Sequence, residues 1–515
     1  MDPELVDRLR NDLRAADYRA PRVRALIGPD ADGARIRGAF APARRALSAH
    51  DATPLSALVR LLLLGEELDV EAVDAALPEL GAEGAAAMGL IVEGERGGLI
   101  AGLSLNPVEM ADSISDEPLE WWILSDLDDQ LRRAPARPDH VMGIGGATRS
   151  LIAQAPPGRS GRSLDLGTGC GIVALHLAKR GPVVATDISE RALALAGANA
   201  RLNGLEELIE FRSGDLLAPV AGDEFDLILS NPPFVISPRD TDAPVYEYRD
   251  GGMSGDALAQ RVVSEAPAAL AAGGTLICLA NWETPWGGNG LERVRGWVSA
   301  AAESVGPLDA WVVERDRVAP SQYAETWARD GGERPGTPGF EALLDAWLED
   351  FGSRKVVSIG LGSVRVRRTA AGSVPEPESV IHTDQAVGAY SGAGLGGLLE
   401  GAFDAGVAAS RMEDADVLAT HWILDPAVTE EREHTPGEEA PRAIALATDR
   451  PIGRRVAADP LLAAAVGACD GDLSLAQIAD ALAQILEVDA DAAREALVSG
   501  ARELAWLGML SPSGR

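Results

Sequence analysis

Leu164 to Ala178 reads "LDLGTGCGIVALHLA". A short apolar strand runs into three glycines at alternate positions, Gly167, Gly169 and Gly171, and then into apolar residues at helical spacing. Glycine accepts the backbone angles of a tight turn and lets main-chain amides approach a ligand, so the stretch predicts strand, binding loop and helix. The next strand, in "VVATDIS", ends on Asp187, 22 residues after Asp165. That is about the spacing at which an acidic side chain meets ribose hydroxyls. Asp165 then discriminates between ligands. Dinucleotide folds keep that strand end apolar so that pyrophosphate can sit on the helix N-terminus. A carboxylate there repels pyrophosphate and pairs with an ammonium group, so a nucleoside carrying an amino acid fits better than NAD.

Outward from this loop, strands and helices alternate from about residue 140 to 370. "PVVATDI" precedes "ERALALAGANARLNG", "FDLILSNPP" precedes a long loop, and "GTLICLAN" precedes "GLERVRGWVSAAAES". Apolar strands alternating with helices imply an α/β fold with a parallel sheet covered on both faces. Two further strands, "LDAWVVERDRV" and "KVVSIGLGSVRVRR", flank the helical "FEALLDAWLEDFG" and are expected at the sheet edge, where an antiparallel strand is tolerated.

Three parts are expected in the 515 residues. Residues 1–130 read as short helices closed by "GLIVEGERGGLIAGLSL", two strands joined by a Gly-containing turn, which predicts a helical or winged-helix-like module capping the core. Residues 131–370 hold the α/β domain. Residues 371–515 loosen through "TAAGSVPEPES" and end in three amphipathic helices, again helical or winged-helix-like, with "DLSLAQIADAL" opening on a capped helix start.

The formal charge is -33, from 46 basic and 79 acidic residues, which repels phosphate backbones and argues against broad nucleic-acid binding. Lys179 and Lys355 are the sole lysines, a bias typical of a GC-rich bacterial genome. Cys170, Cys278 and Cys469 are too scattered for a disulfide framework. The amino-terminal "MDPELVDRLRNDLRAADYRA" lacks a signal-peptide pattern, and no apolar run approaches membrane length. A soluble, cytoplasmic protein without a metal centre is expected, because His421 and His434 lack ligand spacing.

The second chemical motif is "DLILSNPPF", Asp226 to Phe234. Asn231 stands at a strand end, Pro232 and Pro233 fix the chain beyond it, and Phe234 offers a ring. A planar amide or aniline-like nitrogen is a poor nucleophile because its lone pair is delocalised. Acceptors at its hydrogens, the Asn231 side-chain oxygen and the Pro232 carbonyl, would turn that lone pair toward an electrophile and supply several kcal/mol by positioning.

Taken together, "LDLGTGCGIVALHLA", "ATDIS", "SGDLL" and "LILSNPPF" closely resemble the class I S-adenosylmethionine-dependent methyltransferases. The resemblance implies a Rossmann-like core with a mostly parallel seven-stranded sheet and S-adenosyl-L-methionine as cofactor. By it, Asp165 receives the methionine amine, Gly167, Thr168, Gly169 and Gly171 surround the methionyl and ribose parts, and Asp187 with Ile188 holds the ribose. Asp215 and Leu216 meet the adenine. "GIGGAT", Gly143 to Thr148, including Gly145 and Thr148, closes over the cofactor in place of the Pro-Arg pattern of those relatives. Asn231, Pro232, Pro233 and Phe234 form the catalytic set, with Asn231 also beside the cofactor.

The Asn-Pro-Pro-aromatic signature resembles methyltransferases of planar nitrogens, among them the HemK/PrmC glutamine methyltransferases and the RsmC/RlmG-like small-domain N-methyltransferases. "YEYRDGGMSGDALAQ" and "NPPFV" look closer to the glutamine enzymes. The leading expectation is therefore methylation of a glutamine in a protein such as a release factor. A base N-methyltransferase acting on ribosomal or transfer RNA, and a non-catalytic cofactor-binding regulator, are the competing readings. Tyr246 and Tyr248 are candidates for lining the acceptor cleft or for packing. Trp121 and Trp122 are expected to glue the first module to the core, and Cys170 to serve as a small loop residue.

Overall fold

The computed structural model describes residues 1–111, 118–132, 137–158, 161–239, 251–370, 378–386, 388, 390–391 and 393–513. Tyr246 and Tyr248 lie outside the described residues. The central sheet has eight strands: β1 (Ser163–Leu166), β2 (Val183–Asp187), β3 (Ile209–Ser213), β4 (Phe225–Ser230), β5 (Leu270–Pro285), β6 (Leu308–Val318), β7 (Val356–Arg368) and β8 (Val380–Gln385). Their spatial order is β8-β6-β7-β5-β4-β1-β2-β3. All neighbouring pairs are parallel except the two that β7 makes with β5 and β6.

Both faces are apolar for the reason the sequence anticipates. Along β2, Val183 and Ala185 enter one hydrophobic core and Val184, between them, enters another. A period of two with both sets buried is the mark of a strand covered on each side. Helices α1 (Gly146–Ala153), α2 (Ile172–Ala178) and α3 (Glu190–Leu202) cover the first face, and α4 (Ala257–Glu265) and α5 (Gly290–Val305) the second. Gly171 begins α2 with φ +84°, and a Cβ there would lie 2.9 Å from that of Ala196, so only glycine lets α2 and α3 approach this closely.

Two expectations about the sheet are corrected. It has eight strands rather than seven, and the antiparallel β7 lies between β5 and β6 instead of at the edge. "VRVRR" reads as an edge because an inner strand rarely carries alternating arginines. Here Val364 and Val366 are buried in the second core, while Arg365 donates to the Gln154 carbonyl and Arg367 pairs with Asp404 on the opposite face. The edge itself is β8, whose six residues are almost all half-buried and show no alternation. It reaches past residue 370, into the segment that reads as loosened chain.

The N-terminal helices share one continuous core with α1, α2 and α3. The hairpin expected between residues 91 and 101 is present as Ile91–Glu93 with Leu99–Ala101. A second hairpin, Ser104–Met110 with Leu119–Ser125, escapes the sequence reading. It carries Trp121, buried in the shared core, and Trp122, packed against it, and polar bonds add to this apolar contact. The Asn203 side chain accepts from Trp122 N at 3.0 Å and donates to Trp122 O at 2.8 Å. Asn199 does the same for Leu124, so one asparagine within α3 and another at its C-terminal cap stand in for a neighbouring strand.

Beyond β8 come α8 (Leu395–Arg411), Pro460–Gly467, α9 (Leu475–Leu486) and α10 (Ala490–Trp506), with two small three-stranded sheets. The expected helix start is a capping box between Ser474 and Gln477. Among the described residues no helix is long and apolar enough to cross a membrane, and no group of three or more His, Cys, Asp or Glu could hold a metal ion.

Candidate functional site

Register brings the motifs together. Asp165 lies opposite Ala185 of β2 and Leu229 of β4, and Leu166 opposite Thr186 and Ser230. The exits of these three adjacent strands therefore carry the glycine loop, Asp187 and Asn231 side by side. The Ser230 hydroxyl donates to the Leu166 carbonyl at 2.9 Å and fastens two of the exits.

Asp165 is buried, and its Oδ2 accepts from Thr168 Oγ1 at 2.6 Å and from Ala174 N at 2.9 Å. Desolvation outweighs these bonds and pushes its carboxyl up to about 7. Gly167 and Gly169 hold φ of +81° and +54°, and a Cβ on either would meet no protein atom within 4 Å. Open space thus lies over the loop. Gly169 N donates to Asp187 Oδ2 and Ser189 N to Oδ1, each at 2.9 Å. Burial raises the Asp187 carboxyl as well. Ile188 beside it is 64% exposed, an apolar side chain without a protein cover.

The group fits S-adenosyl-L-methionine. A desolvated carboxylate destabilised by burial gains from a cation, the loop offers room for backbone approach, and Asp187 is held where lone pairs remain for hydroxyls. Asp215 is engaged differently. Its carboxylate pairs with Arg261 of α4 at 3.1 Å and is 56% exposed, and Leu216 follows at φ +44°. Gly214 N bonds to the Asp187 carbonyl at 3.0 Å, so this turn adjoins the β2 exit without a side-chain link to the glycine loop.

Asn231 is the most informative residue. Its Nδ2 donates to Thr148 Oγ1 of α1 at 3.0 Å. Its Oδ1 is buried and has no hydrogen-bond partner among the described residues. A buried, unpaired carbonyl oxygen costs about 1–3 kcal/mol, so an acceptor of this kind is expected to receive a donor from a ligand. Gly145 caps α1 and places Thr148 one turn in. Pro232 is buried, Pro233 and Phe234 are half-buried, and Phe234 meets Trp327 edge-on at 6.4 Å between ring centres.

Sequence reasoning missed what holds these parts. Asn199 Nδ2 donates to the Cys170 carbonyl inside the glycine loop at 2.8 Å. Cys170 itself is buried, as a small loop residue should be. Helices α6 (Pro320–Asp330) and α7 (Pro338–Ser353), inserted between β6 and β7, grip the chain beyond Phe234. Tyr323 Oη accepts from Ile236 N at 3.0 Å and from Asn281 Nδ2 at 2.9 Å, and Trp347 Nε1 donates to the Ile236 carbonyl at 2.7 Å. Tyr323→Phe leaves two buried donors unpaired, and chemical denaturation should show a loss of about 1–3 kcal/mol. An unchanged midpoint would refute this account of the insertion.

A family model described as a domain of unknown function (DUF7059) matches residues 15–102. Residues 142–304 match the methyltransferase small domain. The methyltransferase small domain match contains the glycine loop, Asp187, Asp215 and the Asn231 motif. A ribosomal protein uL3 glutamine methyltransferase of Bradyrhizobium diazoefficiens is 37% identical over 150 residues, which are 27% of this chain and 46% of that protein. A release factor glutamine methyltransferase of Xylella fastidiosa is 38% identical over 167 residues, 30% of this chain and 58% of that protein. The chain thus spans about half the length of the curated relatives it matches. Among solved structures, the geranyl diphosphate C-methyltransferase of Streptomyces coelicolor matches at 13% identity and a TM-score of 0.28, over 43% of this chain and 77% of that one.

Proposed function

We propose that this chain is an S-adenosylmethionine-dependent N-methyltransferase whose acceptor is the side-chain amide of a protein glutamine. The observation that carries the reading is the Asn231 amide, pinned through Nδ2 by Thr148 and left with a buried, unpartnered Oδ1 at the strand exit beside Asp165 and Asp187. The cofactor, when bound, supplies an electrophilic methyl on a sulfonium.

Every other part of the chemistry falls to the protein. Asp165 would meet the amino-acid ammonium and Asp187 the ribose hydroxyls, which fixes the methyl relative to the β4 exit. Asn231 Oδ1 accepts an N–H of the acceptor amide and so turns the nitrogen's lone pair out of conjugation and toward the methyl. Phe234, held by Trp327, offers a face for the amide plane. A methyl taken up there would exchange the S–C bond for an N–C bond, leaving a neutral thioether, and the acceptor nitrogen would release one proton to water. No strong base is required, because acidity at that nitrogen rises as methylation proceeds.

The names of the relatives, together with a net charge of -33, support a protein over a nucleic-acid acceptor. The test is incubation with methyl-labelled S-adenosylmethionine and cell extract, divided between protease and nuclease. Label should survive nuclease and disappear with protease. Label lost to nuclease instead would overturn the glutamine reading in favour of a base.

A further inference from the structure

We infer that β7 and the C-terminal extension together act in methyl transfer by holding α1, and through Thr148 the Asn231 amide, in register with the cofactor loop; Arg365 of β7 and Gly396 of α8 are the positioning residues. This rests on the reading of Asn231 given above. The chain of contacts is continuous. Asn231 is oriented from α1 by Thr148. The opposite end of α1 finishes at Gln154, whose carbonyl accepts from Arg365 of β7 at 2.9 Å. The carbonyl of the next residue, Ala155, lies directly against Gly396 in the first turn of α8, and a Cβ at Gly396 would collide with it. One residue on, Gly397 lies where a Cβ would touch the Pro157 ring at 3.4 Å. Three successive contacts therefore seat the end of α1 on β7 and α8.

Arg365 is a costly way to make such a seat unless position matters. It is 5% exposed, and no carboxylate forms an ion pair with it among the described residues. Its charge is offset instead by the carbonyl at the C-terminal end of α1, the favourable end of the helix dipole for a cation, and more remotely by Glu400 of α8. Beside it on β7, the Ser363 hydroxyl bonds to Tyr390 Oη at 2.7 Å, which ties the chain leading into α8 to the same strand. The solvent side of this seam is not packed solid. A cavity of about 480 Å³ runs between Arg149 and Ala153 of α1, Arg315 of β6, and Tyr390 and Leu395. On that flank α1 is held by the seat at Gln154 and Ala155, while Leu151 and Ile152 anchor its other face in the first core.

A displacement of this helix moves Thr148 and frees the Asn231 amide to rotate, which carries Oδ1 away from the acceptor nitrogen. Misplacements near 1 Å can lower transfer about 100-fold. The extension then belongs to the catalytic apparatus rather than being a separate appendage.

The test uses the full chain with Arg365→Met, Gly396→Val and the conservative Arg365→Lys. Hydrogen exchange of α1 amides, S-adenosylmethionine affinity by calorimetry, and label transfer to cell extract are measured on each. Arg365→Met and Gly396→Val should speed exchange in α1 by about 10-fold or more, leave α2 and α5 unchanged, and lower transfer about 10- to 100-fold, with Arg365→Lys close to the parent. Cofactor affinity should move far less than transfer. Parent-like exchange in α1, uniform acceleration throughout the chain, or faster α1 exchange with undiminished transfer would each overturn the inference. A parent protein that transfers no label would instead overturn the methyl-transfer reading, and the exchange comparison would still decide whether the extension holds α1.

Discussion

Asp165→Asn should lower S-adenosylmethionine affinity on the order of 100-fold, about 3 kcal/mol, while leaving the fold intact. The carboxylate is buried, and desolvation raises it to about 7 despite bonds from Thr168 and Ala174. Its unfolded value is 3.8, so the folded chain binds the extra proton between these limits. Stability contributed by the neutral form is present below the unfolded value and is lost as pH rises through about 7. The uncharged amide of the variant removes that loss, so the substituted protein should be at least as stable as the parent at pH 8. Function requires the opposite state. An ammonium group binds the ionised carboxylate, so affinity should climb with pH up to about 7 and then level off, with a proton released on binding below that point. Calorimetry in buffers of different ionisation enthalpy measures that proton directly. Unchanged affinity in Asp165→Asn, or a flat pH profile, would remove Asp165 from the cofactor site.

The parts of this protein legible in its sequence are those whose chemistry is local. A glycine at Gly171 is demanded by a positive φ and by the nearness of Ala196, and such a demand shows in a few adjacent residues. Asp165, Asp187 and Asn231 could be aligned because parallel strands of an α/β sheet present their exits together. The order of β6, β7 and β8 was not legible in the same way. Whether "VRVRR" is inner or outer depends on Gln154 and Asp404, which lie far off in the chain and supply what the arginines need. Asn199 and Asn203 read as ordinary helix residues, although their side chains bond a hairpin that is distant in sequence. One signal was available for Asn199, a polar residue within an otherwise apolar helical stripe. Tyr323 carried no such mark, because its partners are a backbone amide and the Asn281 side chain on other elements, and the glycine-rich run that singled out Thr148 as a cofactor residue did not show its bond to Asn231. Asp215, read from its spacing, stands at the turn after β3, half exposed and paired with Arg261, a partner the spacing does not show.

Asn231→Ala should leave cofactor affinity within about threefold of the parent and reduce methyl transfer on the order of 100-fold or more, the usual scale for removing one positioned polar contact to the reacting group. The two effects separate because Asn231 has two ends with different work. Nδ2 is spent on Thr148 and fixes orientation, whereas Oδ1 is buried and unpartnered until an acceptor arrives. Deleting the side chain removes a polar oxygen whose burial is uncompensated, so the folded protein should lose little stability. Thr148→Val divides the role further. It keeps the shape of the side chain, removes the acceptor for Nδ2, and leaves Oδ1 chemically present but free to swing. Transfer should then fall less than in Asn231→Ala, about 10-fold, because misorientation is intermittent where deletion is complete. The diagnostic is the split between steps: calorimetry for the cofactor, single-turnover label transfer for chemistry. If Asn231→Ala weakened cofactor binding as much as transfer, Asn231 would be a cofactor residue and the acceptor would have to be held elsewhere. If Thr148→Val and Asn231→Ala were equally impaired, orientation would account for the whole contribution, and the buried oxygen would matter only through the direction in which it points.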